Sequence, residues 1–192
     1  VQVQAGLGAN LSAFEVIWNN TYKLIDQHVP HATVPMDDQY DFYVLIESMG
    51  SHAEKDSDLF LEVLSQASEE KLIEEVIVAD SDTKIKNLWT VRDAAAEVAP
   101  GVGYMHTYDV SLNVDDMGYF GEEVENRLRA EWPDAIFGVF GHIGDGNLHL
   151  NILKPASQAV AQFKAQCEQV SEEVLAIVAS FDGSVSAEHG VG

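Results

Sequence analysis

Cysteine is almost missing from this chain: Cys167 is the only one in 192 residues. No internal disulfide can form, and a reducing compartment suits such a chain. Cys167 falls in a helical pattern, where a free thiol is more often core filler than nucleophile. Basic residues are scarce too. Ten Lys and Arg stand against 32 Asp and Glu, a formal charge of −22, which repels nucleic acid and anionic membrane surfaces. No run reaches the roughly 18 apolar residues of a membrane-spanning helix, and no secretory signal is visible. No G-x-G-x-x-G element is present to cradle a dinucleotide. Hydrophobic residues still make up 46%, so the chain is globular and not an acidic tail. Its length allows one substantial domain. The acids are spread along the chain, as on a solvated surface. An anionic ligand would therefore need a local cation or metal.

Apolar and turn residues alternate in a readable order. Leu11 to Asp26 reads as a helix, with Leu11, Phe14, Ile17 and Trp18 on one face and Asn10 or Ser12 as cap. Pro30 and Pro35 bracket a linker. Phe42 to Ser48 is a strand, His52 to Ala67 a helix, Val76 to Ala79 a short strand and Ser81 to Val98 a helix. Pro100, Gly101 and Gly103 break the chain. Tyr104 to Leu112 is a strand and Gly118 to Trp132 a helix. Ala135 to His142 and Leu148 to Leu153 are strands, and Ala156 to Ser180 is a long helix. This order predicts a layered α+β domain, a sheet with helices over one face.

The richest local signal is GHIGDGNLHLN, Gly141 to Asn151. Asp145-Gly146 between apolar runs predicts a two-residue hairpin turn, because Gly supplies the positive φ. In that register His142 faces His149, and directly opposed residues have Cβ atoms about 4.5–5.5 Å apart. Two imidazoles so placed can share a metal ion. Leu148, Leu150 and Ile152 would point to one face with Val139, and His149 and Asn151 to the other beside His142. A hairpin with two solvent-facing histidines would give the same pattern. The second cluster is SAEHGVG, Ser186 to Gly192, where Glu188 and His189 are adjacent and flanked by small residues. Two His and one carboxylate leave positions open on a metal, the catalytic arrangement. Neighbours in extended backbone point apart, so Glu188 is read as the ligand and His189 as an acid-base group. His28, His31 and His52 are read as surface residues.

GHIGDGNLHLN followed by SAEHGVG resembles the C-terminal domain of FAD-linked oxidases, the group of D-2-hydroxyglutarate dehydrogenase, D-lactate dehydrogenase and glycolate oxidase FAD subunits. LSAFEVIW (Leu11 to Trp18), FYVLIESMGS (Phe42 to Ser51), LWTVRD (Leu88 to Asp93) and YDVSLNV (Tyr108 to Val114) are also similar, in the same order. The resemblance implies a ferredoxin-like α+β cap domain over residues 36–192, preceded by a helix and linker over 1–35. It implies a fragment of a longer enzyme that lacks the FAD domain and a C-terminal end. Alone, such a fragment is expected to be inactive. By the family pattern His142, His149 and Glu188 match ligands of a divalent metal, usually zinc, and His189 matches the base that takes the hydroxyl proton. Asn151 and Thr107 match substrate-contact positions, and Arg92 a carboxylate-binding arginine. Implied partners are a 2-hydroxyacid, the FAD domain of the same polypeptide and an electron acceptor; a homodimer is compatible. The implied setting is bacterial cytoplasm, with peripheral attachment to the membrane compatible, or, in a eukaryote, the mitochondrion.

Two positions depart from the D-2-hydroxyglutarate dehydrogenase pattern. A Thr four residues after the arginine and a Lys just before the YD pair are replaced here by Ala96 and Thr107. Their loss favours a smaller or more apolar 2-hydroxyacid. Two other classes stay open on the residues alone. A flavin-independent metal-dependent hydrolase or lyase would act without a partner domain. A non-catalytic ligand-binding module would hold a hydroxyacid and no metal.

Overall fold

A computed structural model describes residues 2–185; of these, the side chains of residues 99, 100, 102 and 131 are left aside. The elements run α1 (Gln2–Leu7), β1 (Leu11–Trp18), α2 (Asn19–His28), β2 (Phe42–Ser48), α3 (Ala53–Glu69), α4 (Asp82–Val102), β3 (Met105–Ser111), α5 (Met117–Glu131), β4 (Ile136–His142), β5 (Asn147–Leu153), α6 (Val160–Ser180) and β6 (Ser184–Val185). All six strands form one sheet in the order β2-β1-β4-β5-β3-β6, and every pairing is antiparallel. The fold is α+β. Its second half, β3-α5-β4-β5-α6-β6, has the split βαβ connectivity of ferredoxin-like domains. β1 and β2 extend that sheet beyond β4.

Period-two alternation divides the sheet faces. Phe137 and Val139 of β4, Leu148, Leu150 and Ile152 of β5 and Tyr108 and Val110 of β3 form one core with Phe120, Val124 and Leu128 of α5 and Phe163, Cys167 and Val174 of α6. This is the expected helical layer. Cys167 is 1% exposed, and burial pushes its thiol up to about 11, so it is unreactive filler. A second helical pair is added on the opposite face. Tyr22 and Ile25 of α2 and Val91, Ala95 and Val98 of α4 pack with Ile17, Phe140 and Leu153. They cover the β2-β1-β4 side.

Several elements differ from the sequence reading. The helix expected over Leu11 to Asp26 is a strand followed by a helix. β1 lies between β2 and β4 with both faces covered: Val16 and Trp18 join the first core and Ile17 the second. Such a strand reads as a continuous apolar run, which periodicity cannot tell from a buried helix. Val16, Ile17, Phe14 and Trp18 are β-branched and aromatic, and that preference wins. Residues before position 36 thus belong to the same sheet and cores as those after it. Val76 to Ala79 forms no strand, and α4 runs through Pro100 and Gly101 to Val102, with Gly103 (φ 98°) beyond it.

The β4–β5 turn also differs. It is a four-residue loop: Ile143–Asp145 curl into a short 3-10 turn and Gly146 closes it in the left-handed region, φ 70°. His142 therefore pairs with Asn147 and Phe140 with His149. The register is displaced by two residues from the expected one. A shift of two preserves which side chains share a face, so His142, His149 and Asn151 remain together.

Gly146 is fixed twice. Its carbonyl oxygen accepts from the Leu112 amide at 2.7 Å, and a Cβ built on it would run into the Leu112 carbonyl oxygen. Left-handed backbone costs an L-residue roughly 1–2 kcal/mol even without such a clash. Gly146→Ala is expected to lower the unfolding free energy by at least about 2 kcal/mol. Urea denaturation checks this as a lower midpoint at unchanged slope.

Candidate functional site

The face opposite α5 and α6 carries a polar row. Antiparallel pairing sets Glu15 opposite His142, His142 opposite Asn147, Asn147 opposite Ser111, Asp109 opposite His149 and Thr107 opposite Asn151. Directly opposed residues share a face, so one surface collects these groups from β1, β4, β5 and β3. His142 and His149 are diagonal neighbours, with ring centroids 5.7 Å apart and ring planes at 81°. Phe140 is tilted against His149 at 4.9 Å and walls the site on the side of α4.

Arg92 reaches this face from α4. Its Nε and Nη2 both donate to Glu15 Oε2, at 2.9 and 2.8 Å. Glu15 is 6% exposed, and the Arg92 side chain 16%. The carboxylate also takes His142: Nδ1 lies 2.9 Å from Oε1 and 2.7 Å from Oε2. Arg92 Nη2 stands 3.0 Å from His142 Nε2. With Nδ1–H given to Glu15, Nε2 is the acceptor. That nitrogen has one lone pair, so it serves either the guanidinium or an ion, not both.

A second carboxylate serves the other histidine. Asp109 Oδ1 lies 3.6 Å from His149 Nδ1 and accepts from Asn147 Nδ2 at 2.7 Å. Asn147 and Asn151 are each 2% exposed, and the Oδ1 atoms of both are buried without a hydrogen-bond partner among the described residues. Orphaned buried acceptors are uncommon and mark places where a ligand or ion completes the bonding. Which end of each amide points inward is an assignment that the network decides.

Arg92, His142, His149, Asn151 and Thr107 all lie on or at the rim of this face; strand alternation in the sequence had placed His142, His149 and Asn151 together. Glu188 and His189 lie outside the described residues. Thr107 is exposed. His106 points to the other face, its ring 4.8 Å from Tyr108. Burial holds its pKa below the usual histidine value, so it does not stand in for a lysine beside Thr107. Glu15, Asp109 and Asn147 were not singled out from sequence. The available signal was a lone charge in the apolar run LSAFEVIW, and it has meaning only once β1 is a strand.

The donor set fits a divalent ion of borderline softness in part. At metal–nitrogen distances of about 2.0–2.1 Å each ring centre sits roughly 3 Å from the ion, and a tetrahedral angle then separates two centres by roughly 5 Å. The observed 5.7 Å is close to that. Both Nδ1 atoms face carboxylates, the outer-shell arrangement common to metal-ligating histidines. Among the described residues no group of three His, Cys, Asp or Glu is placed to hold a metal, so the two imidazoles do not by themselves make a metal site.

An α+β domain with a polar face on its central strands is the class this geometry defines. The chain matches, over residues 1–192, the model of the family described as FAD linked oxidases, C-terminal domain, and it belongs to that family. It is 34% identical over its whole length to a D-2-hydroxyglutarate–pyruvate transhydrogenase of Saccharomyces cerevisiae, covering 39% of that protein. It is 33% identical over its whole length to a D-2-hydroxyglutarate dehydrogenase of Xanthomonas citri, covering 40%. Over 95% of its length it is 33% identical to a putative mitochondrial D-lactate dehydrogenase of Schizosaccharomyces pombe, covering 35%. The chain thus spans between a third and two fifths of the length of these relatives. No helix among the described residues is long and apolar enough to cross a membrane.

The buried Glu15–Arg92 pair makes a stability prediction. Removing one partner of a buried pair costs about 3–5 kcal/mol, because the other charge is stranded. Arg92 keeps some solvent contact and His142 remains beside Glu15, so Arg92→Ala is expected at the low end, about 3 kcal/mol. Urea denaturation measures it; a change within 0.5 kcal/mol, about that of an ordinary surface substitution, would contradict the pairing.

Proposed function

We propose that this chain is the substrate- and metal-binding domain of an FAD-dependent enzyme that oxidises a D-2-hydroxyacid to the 2-oxoacid. The observation that carries the reading is the polar face itself: two histidines with outer-shell carboxylates, an arginine and two buried amides. Membership in the FAD-linked oxidase family supplies the redox class. His142 and His149 would hold a zinc-like ion, with Glu188 as the third ligand. Such an ion supplies Lewis acidity, lowering the pKa of a bound hydroxyl.

Charge balance supports a metal. The described cluster offers one permanent cation, Arg92, against the carboxylates of Glu15 and Asp109. An anionic hydroxyacid would meet no net positive charge there. A divalent ion on the two imidazoles reverses that balance. Arg92 would orient a substrate carboxylate through its fork, with Asn151 donating or accepting beside it. His189 would remove the hydroxyl proton, and flavin, when bound by the whole protein, would supply the two-electron acceptor for the C2 hydride. Proton and hydride together account for the two electrons and two hydrogens lost.

The deciding experiment uses the full-length protein. Its flavin absorbance should bleach on addition of a D-2-hydroxyacid, and His149→Ala should remove most zinc by elemental analysis while keeping the flavin. Metal-dependent hydrolysis without flavin reduction would favour the hydrolase or lyase class, and hydroxyacid binding with no metal the binding module.

Substrate choice is a finer proposal. Ala96 lies one helical turn beyond Arg92 on α4 and brings no hydrogen bond, and Thr107 brings one without charge. A subsite that lacks the partners of a second carboxylate binds a diacid poorly. D-lactate, or a D-2-hydroxyacid with an apolar tail, is expected to give a higher kcat/KM than D-2-hydroxyglutarate. A kinetic panel decides it, and the reverse ranking would refute the argument from Ala96 and Thr107.

A further inference from the structure

Glu15 is out of place by every local rule. It is the one charged residue in the eight-residue strand LSAFEVIW, and it is 6% exposed. Burying a carboxylate is costly unless its lone pairs are filled. Here they are filled by groups far away in sequence: Arg92, 77 residues on, and His142, 127 residues on. Stability alone is a poor account, because apolar replacements of buried ion pairs are often as stable. What the carboxylate does that no apolar side chain can is fix two orientations at once.

We propose that Glu15 is a positioning residue: it holds His142 as the Nδ1–H tautomer, with Nε2 as the acceptor that Arg92 Nη2 meets at 3.0 Å, and clamps Arg92 through Nε and Nη2. An imidazole whose Nδ1–H is committed to a carboxylate must use Nε2 as its donor atom. A guanidinium held by its Nε edge keeps its remaining Nη1 edge for a second anion; Nη1 is already 3.6 Å from the exposed carboxylate of Asp93. One buried side chain thus couples the arginine of α4 to the histidine at the end of β4. This inference rests on His142 and Arg92 having the roles proposed above.

The test uses the full-length protein and begins with the wild type, which avoids a misfolded variant. After chelation, 15N-labelled histidine resonances are recorded at about pH 8, above the usual imidazole pKa near 6.5. His142 is assigned by loss of its signals in His142→Gln. A ring protonated at Nδ1 and accepting at Nε2 is expected; any other protonation pattern overturns the proposal. Next, zinc affinity is measured by chelator competition for wild type and Glu15→Gln. The amide loses the charge and turns one of the two accepting oxygens into a donor facing N–H groups, so Glu15→Gln should weaken zinc about 10–100-fold, the usual loss for an outer-shell partner. The KM for the hydroxyacid should rise more than kcat falls, as expected when ground-state binding through Arg92 is lost. Zinc affinity within twofold of wild type, with KM unchanged, overturns the proposal. If wild type binds no zinc at all, the metal reading fails, while the tautomer measurement still decides the role of Glu15.

Discussion

The β4–β5 pairing is the constraint on which the rest depends. Its register decides which residues of the two central strands enter the core and which form the polar face. Phe137, Val139, Leu148, Leu150 and Ile152 are buried against α5 and α6. The same alternation then forces His142, Asn147, His149 and Asn151 onto the other side. A slip of one residue would exchange these sets and bury four polar side chains in an apolar core, so the face cannot be lost without losing the fold. Gly146 secures the register at its end, because the backbone of Leu112 lies where a Cβ would sit.

Charge is the second constraint. A chain with net charge −22 is an unfavourable place for an anion, and Arg92 at first sight resolves this. The structure shows that Glu15 already matches Arg92, with Asp109 adding a further negative charge close by. The arginine contributes direction more than net charge. Among the described residues net charge does not supply the attraction for an anionic substrate, and the proposed divalent ion is one cation that would supply it.

Legibility from sequence followed the range of the forces involved. Phe42–Ser48 is a strand with the expected bounds, because its apolar run is flanked by turn residues. The polar face of β4 and β5 was readable because strand alternation is local. The register was displaced by two because Asp145-Gly146 resembles a two-residue turn, whereas Ile143 begins a helical turn that needs four residues. A period-two error leaves the face intact, so the grouping of His142, His149 and Asn151 survived it. β1 was unreadable as a strand because burial on both faces erases alternation. Its partners lie at positions 42–48 and 140–142, beyond any local window. Glu15 was missed for the same reason: a carboxylate shows its purpose only where its partners meet.

The site therefore sits on a seam between two structural units. The ferredoxin-like half supplies His142, His149, Asn151, Thr107 and Asp109 from strands β3, β4 and β5. The extension supplies Glu15 from β1 and Arg92 from α4. The two join through three residue pairs, Glu15–His142, Val16–Gly141 and Ile17–Phe140. Gly141 is needed at that junction, since a Cβ there would strike the backbone of Asn147 and Leu148. Main-chain pairing brings Glu15 opposite His142, and the salt bridge to Arg92 then ties α4 to the same point. An error in the β1–β4 pairing would separate the carboxylate from the imidazole and from the central strands at once. The extension thus orients one corner of the face, at His142, while the residues proposed to bind metal and substrate lie mainly on the ferredoxin-like strands.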